Sequence, residues 1–253
     1  MSAATKISPL APKGGFPNLP LVKGVTFSAH ASGIKNENRA DTMLASISPL
    51  SSIAGVFTKS STRSSAVLDC QEKLQKQTLS NSGFAFLVNS GNANAFTGRV
   101  GELSVRKLVT AVSDSLGLPE SNIFTSSTGV IGEPLPVDKL INAIPALKNS
   151  LRGDNFAAAA AAIMTTDTFA KGASETISVG GKSVNICGIA KGSVMIAPDM
   201  ATMLVYIFTD ASITKTLLQK VVSELVGKTF NCITVDSDTS TSDTLLVAAT
   251  GKS

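Results

Sequence analysis

Histidine and cysteine, which serve as bases, nucleophiles and metal ligands in many enzymes, are scarce in this sequence. Its 253 residues include one histidine, His30, and three cysteines without a Cys-x-x-Cys pair. A Ser-His-Asp or Cys-His site would depend on His30 alone, and a lone histidine among Ala and Ser residues is typical of a structural role. The spacing fits neither a zinc site nor a disulfide framework. We therefore expect no metal ion, and we expect Cys70, Cys187 and Cys232 to be buried free thiols.

Further absences argue against membrane and nucleic-acid proteins. No run of roughly 18 apolar residues exists, as a spanning helix requires, and the N-terminal stretch lacks the apolar core of a signal peptide. We therefore expect a cytoplasmic protein with no membrane partner. The net charge is only +4, and no run of Lys and Arg is interleaved with aromatic residues, so no nucleic-acid partner is expected. With no Trp, one Tyr and 43% hydrophobic residues, a globular core must pack mostly small side chains.

Apolar periodicity predicts the main elements of the first half. Residues 84–90, FAFLVNS, are predicted to form a buried strand that leads into an Asn-rich loop. From Val105 to Leu116 apolar residues recur at helical spacing, and Gly117 is expected to end that helix. Asp154 is predicted to cap the Ala-rich helix that follows it.

The second half adds more strands and a further helix. Alternating apolar and polar residues on both sides of Gly180-Gly181 predict a β-hairpin. The segment after it is predicted to form a strand, a helix and a second strand, the last at residues 232–237. Strands and helices together predict a mixed α/β fold.

Two apparent ligand motifs fail on spacing. GGKS and TGKS, at 180–183 and 250–253, lack the earlier glycine of a phosphate-binding loop. The acidic segment VDSDTSTSD, at 235–243, lacks the glycine and the final glutamate of a calcium loop. We expect a solvated or hydrogen-bonded turn in that segment.

The stretch KGSVMIAPDMATMLVYIFTD, at 191–210, places a proline and a small residue directly before a threonine that begins an apolar strand. A threonine becomes a nucleophile when a base takes its proton, and its own amine can be that base once the preceding peptide bond is cut. Ala201 is small and Pro198 restricts the approach, so Thr202 could attack the Ala201 carbonyl. An ordinary β-branched strand residue is the other interpretation of Thr202.

This stretch resembles the self-cleavage motif of the ornithine acetyltransferase family, also called glutamate N-acetyltransferase, of arginine biosynthesis. The matching residues are Lys191, Gly192, Met195, Pro198, Met200, Ala201, Thr202, Met203 and Leu204. Four more stretches resemble the same family in the same order: NSGNANAFTG (89–98), SSTGVIGEPLP (126–136), IMTTDTFAK (163–171) and FNCITVDSDTSTSDTLL (230–246).

The resemblance implies a fold and a reaction. The fold is a layered α/β sandwich, with two sheets between helices, like that of self-cleaving acetyltransferases and aminopeptidases. Cleavage between Ala201 and Thr202 would give an α chain, 1–201, and a β chain, 202–253, that stay associated in a hetero-oligomer. The enzyme would move an acetyl group from N-acetylornithine to glutamate through an acetyl-Thr202 ester. No cofactor is implied, although acetyl-CoA could also serve as acetyl donor.

The resemblance also implies a role for individual residues. Thr128 and Gly129 match the oxyanion hole, in which a hydroxyl and a backbone N–H stabilise the developing negative charge. Lys191 matches a substrate-binding lysine whose charge suits a carboxylate. Thr165 matches a substrate-contacting threonine, with Thr166 as the alternative, and Thr202 contacts substrate as the nucleophile. The Asn-rich loop is expected to brace this site through hydrogen bonds to the backbone.

Several positions depart from the family pattern and keep other functions open. Val194 and Ser237 stand where glycine is usual, and Asp199 stands where asparagine is usual. The predicted β chain is shorter than the family's, which takes a glutamate and polar residues of the substrate site from a later region. The alternatives are a non-catalytic, C-terminally shortened remnant, and an amidase or aminopeptidase on the related fold in which water replaces glutamate.

Overall fold

A computed structural model describes residues 7–9, 11–34, 38–76, 80–197 and 203–253. Within these ranges the chain forms nine β-strands and five α-helices. The strands are β1 (Val25–His30), β2 (Thr42–Ile47), β3 (Ser52–Phe57), β4 (Phe84–Asn92), β5 (Ile123–Val130), β6 (Lys171–Val179), β7 (Lys182–Lys191), β8 (Leu204–Thr209) and β9 (Thr244–Ala249). The helices are α1 (Ser65–Lys76), α2 (Gly98–Leu116), α3 (Val137–Asn149), α4 (Phe156–Ala162) and α5 (Lys215–Val226).

The strands form two sheets. The first has the order β1-β2-β4-β5, and only β4 and β5 run parallel within it. The second has the order β3-β9-β8-β7-β6, and only β8 and β9 run parallel. The second sheet therefore joins strands from both sides of the predicted cleavage bond, because β8 pairs with β7 and β9 pairs with β3.

The inner faces of the two sheets pack against each other and against α4. Few aromatic residues exist in the chain, and several of them meet here. The Phe27 ring lies 4.3 Å from the Phe156 ring and 4.9 Å from the Phe208 ring, measured between centroids. The run of alanines in α4 lets the helix lie close to this aromatic cluster, since each alanine adds little volume.

Helices cover the outer face of each sheet. On the first sheet, Leu87 packs with Leu108 of α2 and Leu140 of α3 in one buried cluster. On the second sheet, Val205 and Leu218 belong to a separate cluster formed with α5. The order of layers is helices, sheet, sheet and helix, which confirms the predicted sandwich.

Most local predictions are confirmed. The strand predicted at 84–90 is β4, and the predicted hairpin is the β6–β7 pair. Helix α2 ends at Leu116, as predicted. Gly117 follows it with a φ of +67°, a left-handed conformation that glycine adopts without strain.

Three local predictions are wrong. Asp154 forms an ion pair with Arg152 at 2.7 Å and does not cap α4, whose preceding residue is Asn155. Residues 232–237 form no strand, because this segment folds back as a loop whose backbone bonds to Ile196. Cys232 is exposed, whereas the other two cysteines are buried free thiols as expected.

Phe27→Ala should cost about 3–5 kcal/mol of unfolding free energy, because it removes a ring from the closed core between the sheets. Phe96→Ala is the matched control: its ring is 71% exposed, and an exposed substitution of this kind changes stability by only about 0.5 kcal/mol. Urea unfolding followed by circular dichroism measures both values. Equal losses would contradict the central position of Phe27.

Candidate active site

Strand register brings three distant segments together at one end of the second sheet. Lys191, the last residue of β7, lies opposite Leu204, the first residue of β8. Leu204 in turn lies beside Thr244, the first residue of β9. Met203 and Asp243, which precede β8 and β9, are consequently neighbours, and Asp243 Oδ1 accepts a hydrogen bond of 2.8 Å from the Met203 N–H.

The parallel strands β4 and β5 of the first sheet end near the same place. Thr128 lies beside Ser90, and Gly129 lies beside Gly91 at a bulge in β4. Gly129 has a φ of +134°, and a Cβ there would lie 2.3 Å from the Gly91 carbonyl carbon. Only glycine fits this position, because a side chain would collide with backbone that cannot move aside.

A buried hydrogen bond connects the two sheets. Lys191 Nζ donates to Thr128 Oγ1 at 3.3 Å, and the lysine is only 3% exposed. Because Nζ is the donor, the Thr128 hydroxyl keeps its own hydrogen for another acceptor. A lysine and a threonine from different sheets thus present donors at one place.

Burial lowers the pKa of Lys191, because it disfavours the charged ammonium, while Asp167 and Asp243 oppose that change. The Asp167 carboxylate accepts hydrogen bonds from Lys171 Nζ at 2.6 Å and from the Gly192 N–H at 2.8 Å. Burial alone would raise its pKa, but these two donors and the charge of Lys191 hold it below the ordinary value.

Asp167 also organises the loop after α4. Its Oδ2 accepts a hydrogen bond of 3.2 Å from the Thr165 N–H, while Oδ1 holds Gly192 after β7. The Asp167 carboxylate therefore links two segments of the chain. One is the loop that carries Thr165, and the other begins at Gly192, directly after β7.

The acidic loop before β9 braces the segment at Met195 in the same way. Asp236 accepts hydrogen bonds from the N–H groups of Met195 and Ile196 at 2.6 and 2.8 Å, which confirms the expected hydrogen-bonded turn. Met195 has a φ of +61° and Ser237 one of +63°, both left-handed. Ser237, one of the departures noted above, therefore occupies a position that favours glycine.

The Asn-rich loop braces β4 and β5, as predicted. Asn89 donates to the Asn92 carbonyl at 2.9 Å and accepts from the Ser127 hydroxyl at 2.7 Å. Asn92 in turn accepts from the Asn94 N–H at 2.7 Å and donates to the Glu133 carbonyl at 3.1 Å. These bonds hold the strand ends next to Thr128 in one conformation.

The predicted residues that the structure describes line a single cavity of about 180 Å³. It is lined by Ala93, Thr128, Gly129, Ile131, Thr165, Thr166, Lys191, Val194, Met195, Ser240, Thr241 and Ser242. Both Thr165 and Thr166 contribute, so the cavity alone does not choose between them. Ala201 and Thr202 lie outside the described residues. A larger apolar cavity of about 840 Å³, between α5 and the second sheet, contains none of the predicted residues.

The described part of the chain contains no group of three or more His, Cys, Asp or Glu side chains that could hold a metal ion. His30 lines a different, shallow cavity together with Lys139 and Asn142. Among the helices within the described ranges, none is both long and apolar enough to cross a bilayer.

Sequence reasoning missed the two buried carboxyl groups, Asp167 and Asp243. Asp167 lies within the TTDT stretch, and Asp243 ends the acidic segment that resembles an incomplete calcium loop. The only feature in the sequence that could have indicated them is their position. Asp167 lies shortly before β6 and Asp243 directly before β9, at the end of the second sheet where the cavity lies. A sequence does not distinguish a buried carboxyl group from a solvated one.

Similar proteins place the chain in a family. The arginine biosynthesis bifunctional protein ArgJ of Ruegeria pomeroyi is 56% identical over 253 residues, which are all of this chain and 61% of the relative. Another protein of that name, from Nitrobacter winogradskyi, is 47% identical over 98% of this chain and 59% of its own. The chain therefore spans about 60% of the length of these curated relatives.

Two solved structures share the architecture. ArgJ from Bacillus halodurans aligns with a TM-score of 0.63 and 32% identity, over 72% of this chain and 92% of that one. Ornithine acetyltransferase from Mycobacterium tuberculosis, solved in complex with ornithine, aligns with a TM-score of 0.61 and 29% identity, over 72% of this chain and 94% of that one. The ArgJ family profile matches residues 26–253. The chain therefore belongs to the ArgJ family.

Proposed function

We propose that this protein cleaves itself between Ala201 and Thr202 and then uses Thr202 to transfer an acetyl group from N-acetylornithine to glutamate. The observation that carries the proposal is the cavity in which Thr128 and Lys191 meet. This cavity lies at the sheet end where β8 begins, and Thr202 precedes that strand by two residues.

Self-cleavage requires an attack by the Thr202 hydroxyl on the Ala201 carbonyl. The C–N bond then breaks, the amide nitrogen gains a proton, and water hydrolyses the resulting ester. The negative charge that develops on the carbonyl oxygen needs donors fixed beforehand. The Thr128 hydroxyl, left free to donate by its contact with Lys191, and the backbone N–H of Gly129 are the donors we assign to it.

Acetyl transfer would use Thr202 in two successive steps, first to accept the acetyl group and then to pass it on. The freed Thr202 amine takes the hydroxyl proton, and the oxygen attacks the acetyl carbonyl of N-acetylornithine. The acetyl C–N bond breaks and ornithine leaves with that proton. The amine of glutamate then attacks the acetyl-Thr202 ester, the ester C–O bond breaks, and the proton that the amine loses returns to Thr202 Oγ. We assign Lys191 and Thr165 to substrate binding, and no cofactor takes part. Acetyl-CoA is the second acetyl donor that we propose for the same acetyl-Thr202 ester. The ornithine bound to the Mycobacterium tuberculosis relative supports the substrate class.

The two products of cleavage would stay together as α and β chains. Residues 204–209 pair with β7 on one side and with β9 on the other, and β9 pairs with β3. Cutting the chain before β8 breaks none of these backbone hydrogen bonds. The pairing therefore supports the proposal that the two chains, 1–201 and 202–253, stay associated after cleavage.

An amidase or aminopeptidase that passes the acyl group to water, and a shortened remnant without activity, are the other two candidates. Membership of the ArgJ family favours the transferase, and the buried Lys191 supports a substrate that carries a carboxylate. Release of free acetate without glutamate, at the same rate as with it, would favour the amidase.

Thr202→Ala should abolish both self-cleavage and acetyl transfer, because no other group replaces the nucleophilic oxygen. Intact-mass measurement before and after incubation with N-acetylornithine tests both steps at once. The wild type should give two fragments, and the fragment that begins at Thr202 should gain one acetyl group. Thr216→Ala, on the exposed surface of α5, is the matched control and should behave as the wild type. A wild-type chain that stays whole and unacetylated would support the remnant.

Thr128→Ala should slow self-cleavage and transfer by about 100–1,000-fold, the usual effect of removing one oxyanion donor. Thr128→Ser keeps the hydroxyl and should restore most of the rate, which separates loss of the donor from loss of packing. The rates come from mass spectrometry of timed samples, and the melting temperature of each variant reports on folding. Wild-type rates in Thr128→Ala would refute the oxyanion assignment.

Thr165→Ala and Thr166→Ala distinguish the two threonines of the cavity. We expect Thr165→Ala to raise the KM for N-acetylornithine about tenfold, as losing one hydrogen bond of roughly 1–1.5 kcal/mol would do. Thr166→Ala should leave the KM near the wild-type value. Steady-state kinetics of acetyl transfer measures both, and the reverse result would move the substrate contact to Thr166.

A further inference from the structure

We infer that Asp243 takes part in self-cleavage: one of its oxygens holds the residue after Thr202, and the other gives the Thr202 nitrogen its proton when the peptide bond breaks. This assignment rests on the proposed function, since it concerns the same bond and the same nucleophile. It adds a proton donor, which none of the residues assigned above supplies to the departing nitrogen.

The first part of the argument is position. Asp243 is 1% exposed, and its Oδ1 accepts the Met203 N–H at 2.8 Å. Met203 is bonded directly to Thr202, and consecutive Cα atoms are about 3.8 Å apart across a trans peptide bond. Covalent geometry therefore keeps the Thr202 nitrogen within one residue of an atom that Asp243 already binds.

The backbone around Asp243 is fixed on both sides. The Asp243 carbonyl accepts a hydrogen bond of 3.0 Å from the Thr58 N–H, and the Thr244 N–H donates to the Met203 carbonyl at 3.1 Å. Asp243 therefore cannot withdraw from Met203 without breaking the first pairs of β9. A carboxyl group held in this way is already placed for a reaction at the start of β8.

The second part of the argument is the other carboxyl oxygen. Asp243 Oδ2 is buried and has no hydrogen-bond partner among the described residues. An ionised carboxylate in that state would be costly, whereas a neutral acid can accept at Oδ1 and keep a proton on Oδ2. Burial raises the pKa of Asp243 to about 8, against the opposing effects of the Met203 N–H, Ser240 and Lys191. The group is therefore a proton donor at neutral pH.

The protons balance through one cycle. Thr202 Oγ attacks the Ala201 carbonyl carbon, the C–N bond breaks, and the Asp243 proton moves to the departing nitrogen. The proton that Thr202 Oγ loses returns to the Asp243 carboxylate, so the acid is regenerated when the ester has formed. Water then hydrolyses the ester, which leaves a carboxylate on Ala201 and the free amine and hydroxyl of Thr202.

The charged groups that face this carboxyl group belong to one small cluster. Lys191, at the end of β7, acts on Asp243 directly, and Asp167 and Lys171 act on Lys191. Lys191 already donates to Thr128 in the cavity. It is the competing source of the proton, and the experiment below separates the two.

Asp210 offers a matched control at the opposite end of β8. It is also 1% exposed, its Oδ1 accepts a backbone N–H from Asn185 at 2.8 Å, and its Oδ2 is likewise without a partner in the described part of the chain. Asp243→Asn and Asp210→Asn therefore make the same chemical change in the same kind of environment. Only the first lies beside Met203.

The test is the rate of self-cleavage as a function of pH. The full chain is made by cell-free translation, unfolded in urea before it is cleaved, and diluted into buffers from about pH 6 to about pH 9, on both sides of the pKa of about 8. Intact mass gives the cleaved fraction at each time. Wild type, Asp243→Asn, Asp210→Asn and Lys191→Met are compared.

The expected result has three parts. The wild-type rate should decrease above about pH 8, as the acid loses its proton. Asp243→Asn should be at least about 100-fold slower, the lower end of what a positioned acid contributes, and should lack that decrease. Asp210→Asn should match the wild type in both respects, and Lys191→Met should keep the decrease above pH 8.

Three results would overturn the inference. Asp243→Asn could cleave at the wild-type rate, it could be slow but keep the wild-type pH profile, or the pH dependence could vanish in Lys191→Met instead. In each case the wild type still cleaves at Thr202, and the proposed function stands. If the wild type itself never cleaves, the proposed function fails and this inference fails with it.

Thermal unfolding provides a second readout that does not depend on cleavage. With a pKa near 8 in the native chain and an ordinary value near 4 in the unfolded chain, Asp243 keeps a proton that unfolding releases. Stability from this group therefore decreases as pH rises through that window. In a Thr202→Ala background, Asp243→Asn should reduce the fall in melting temperature between about pH 5 and pH 8. An unchanged fall would show that Asp243 is not a buried neutral acid.

Discussion

The pairing of β8 with β7 on one side and β9 on the other is the constraint on which the site depends. Because β8 lies inside the second sheet and both of its faces are packed, a slip of one residue would exchange its side chains between two differently packed faces and break its pairing with both neighbours. That register brings Lys191, Met203 and Asp243 to the same end of the sheet. Met203, directly before β8, is thereby held by Asp243, and the proposed nucleophile Thr202 is its neighbour in sequence.

Charge burial at this end of the sandwich is costly, and the structure offsets the cost only in part. Asp167 is well supplied with donors, from Lys171 and from the Gly192 N–H. Lys191 has the Thr128 hydroxyl as its hydrogen-bond acceptor, and Asp243 has one oxygen without a partner in the described ranges. Incompletely satisfied buried groups of this kind destabilise a fold, and they are concentrated where chemistry requires shifted pKa values. Lys191 lines the cavity, and the charges of Asp167 and Asp243 act on it. This cluster is the physical basis of the proposed reaction.

The rest of the local structure restricts motion around that cavity. Gly129 packs so closely on the bulge of β4 that no other residue fits. Asn89 accepts a hydrogen bond from the Ser127 hydroxyl, Asn92 donates to the Glu133 carbonyl, and Asp236 holds the backbone at Met195. Each of these contacts joins segments that are distant in sequence. Donors that are fixed before the reaction stabilise developing charge without reorganising, which is the usual source of a large rate enhancement in acyl transfer.

The sequence by itself determined a mixed α/β class, the long helix that ends at Leu116 and the hairpin at Gly180. The resemblance of its motifs to a known family implied the layered sandwich and the set of candidate residues. These follow from periodicity, turn chemistry and local motifs, which are properties of short stretches. Only the tertiary structure decided that residues 232–237 form a loop, and that Asp243 and Lys191 share one buried environment. Contacts between segments that are distant in sequence depend on strand register and on burial, and these are properties of the whole packed chain.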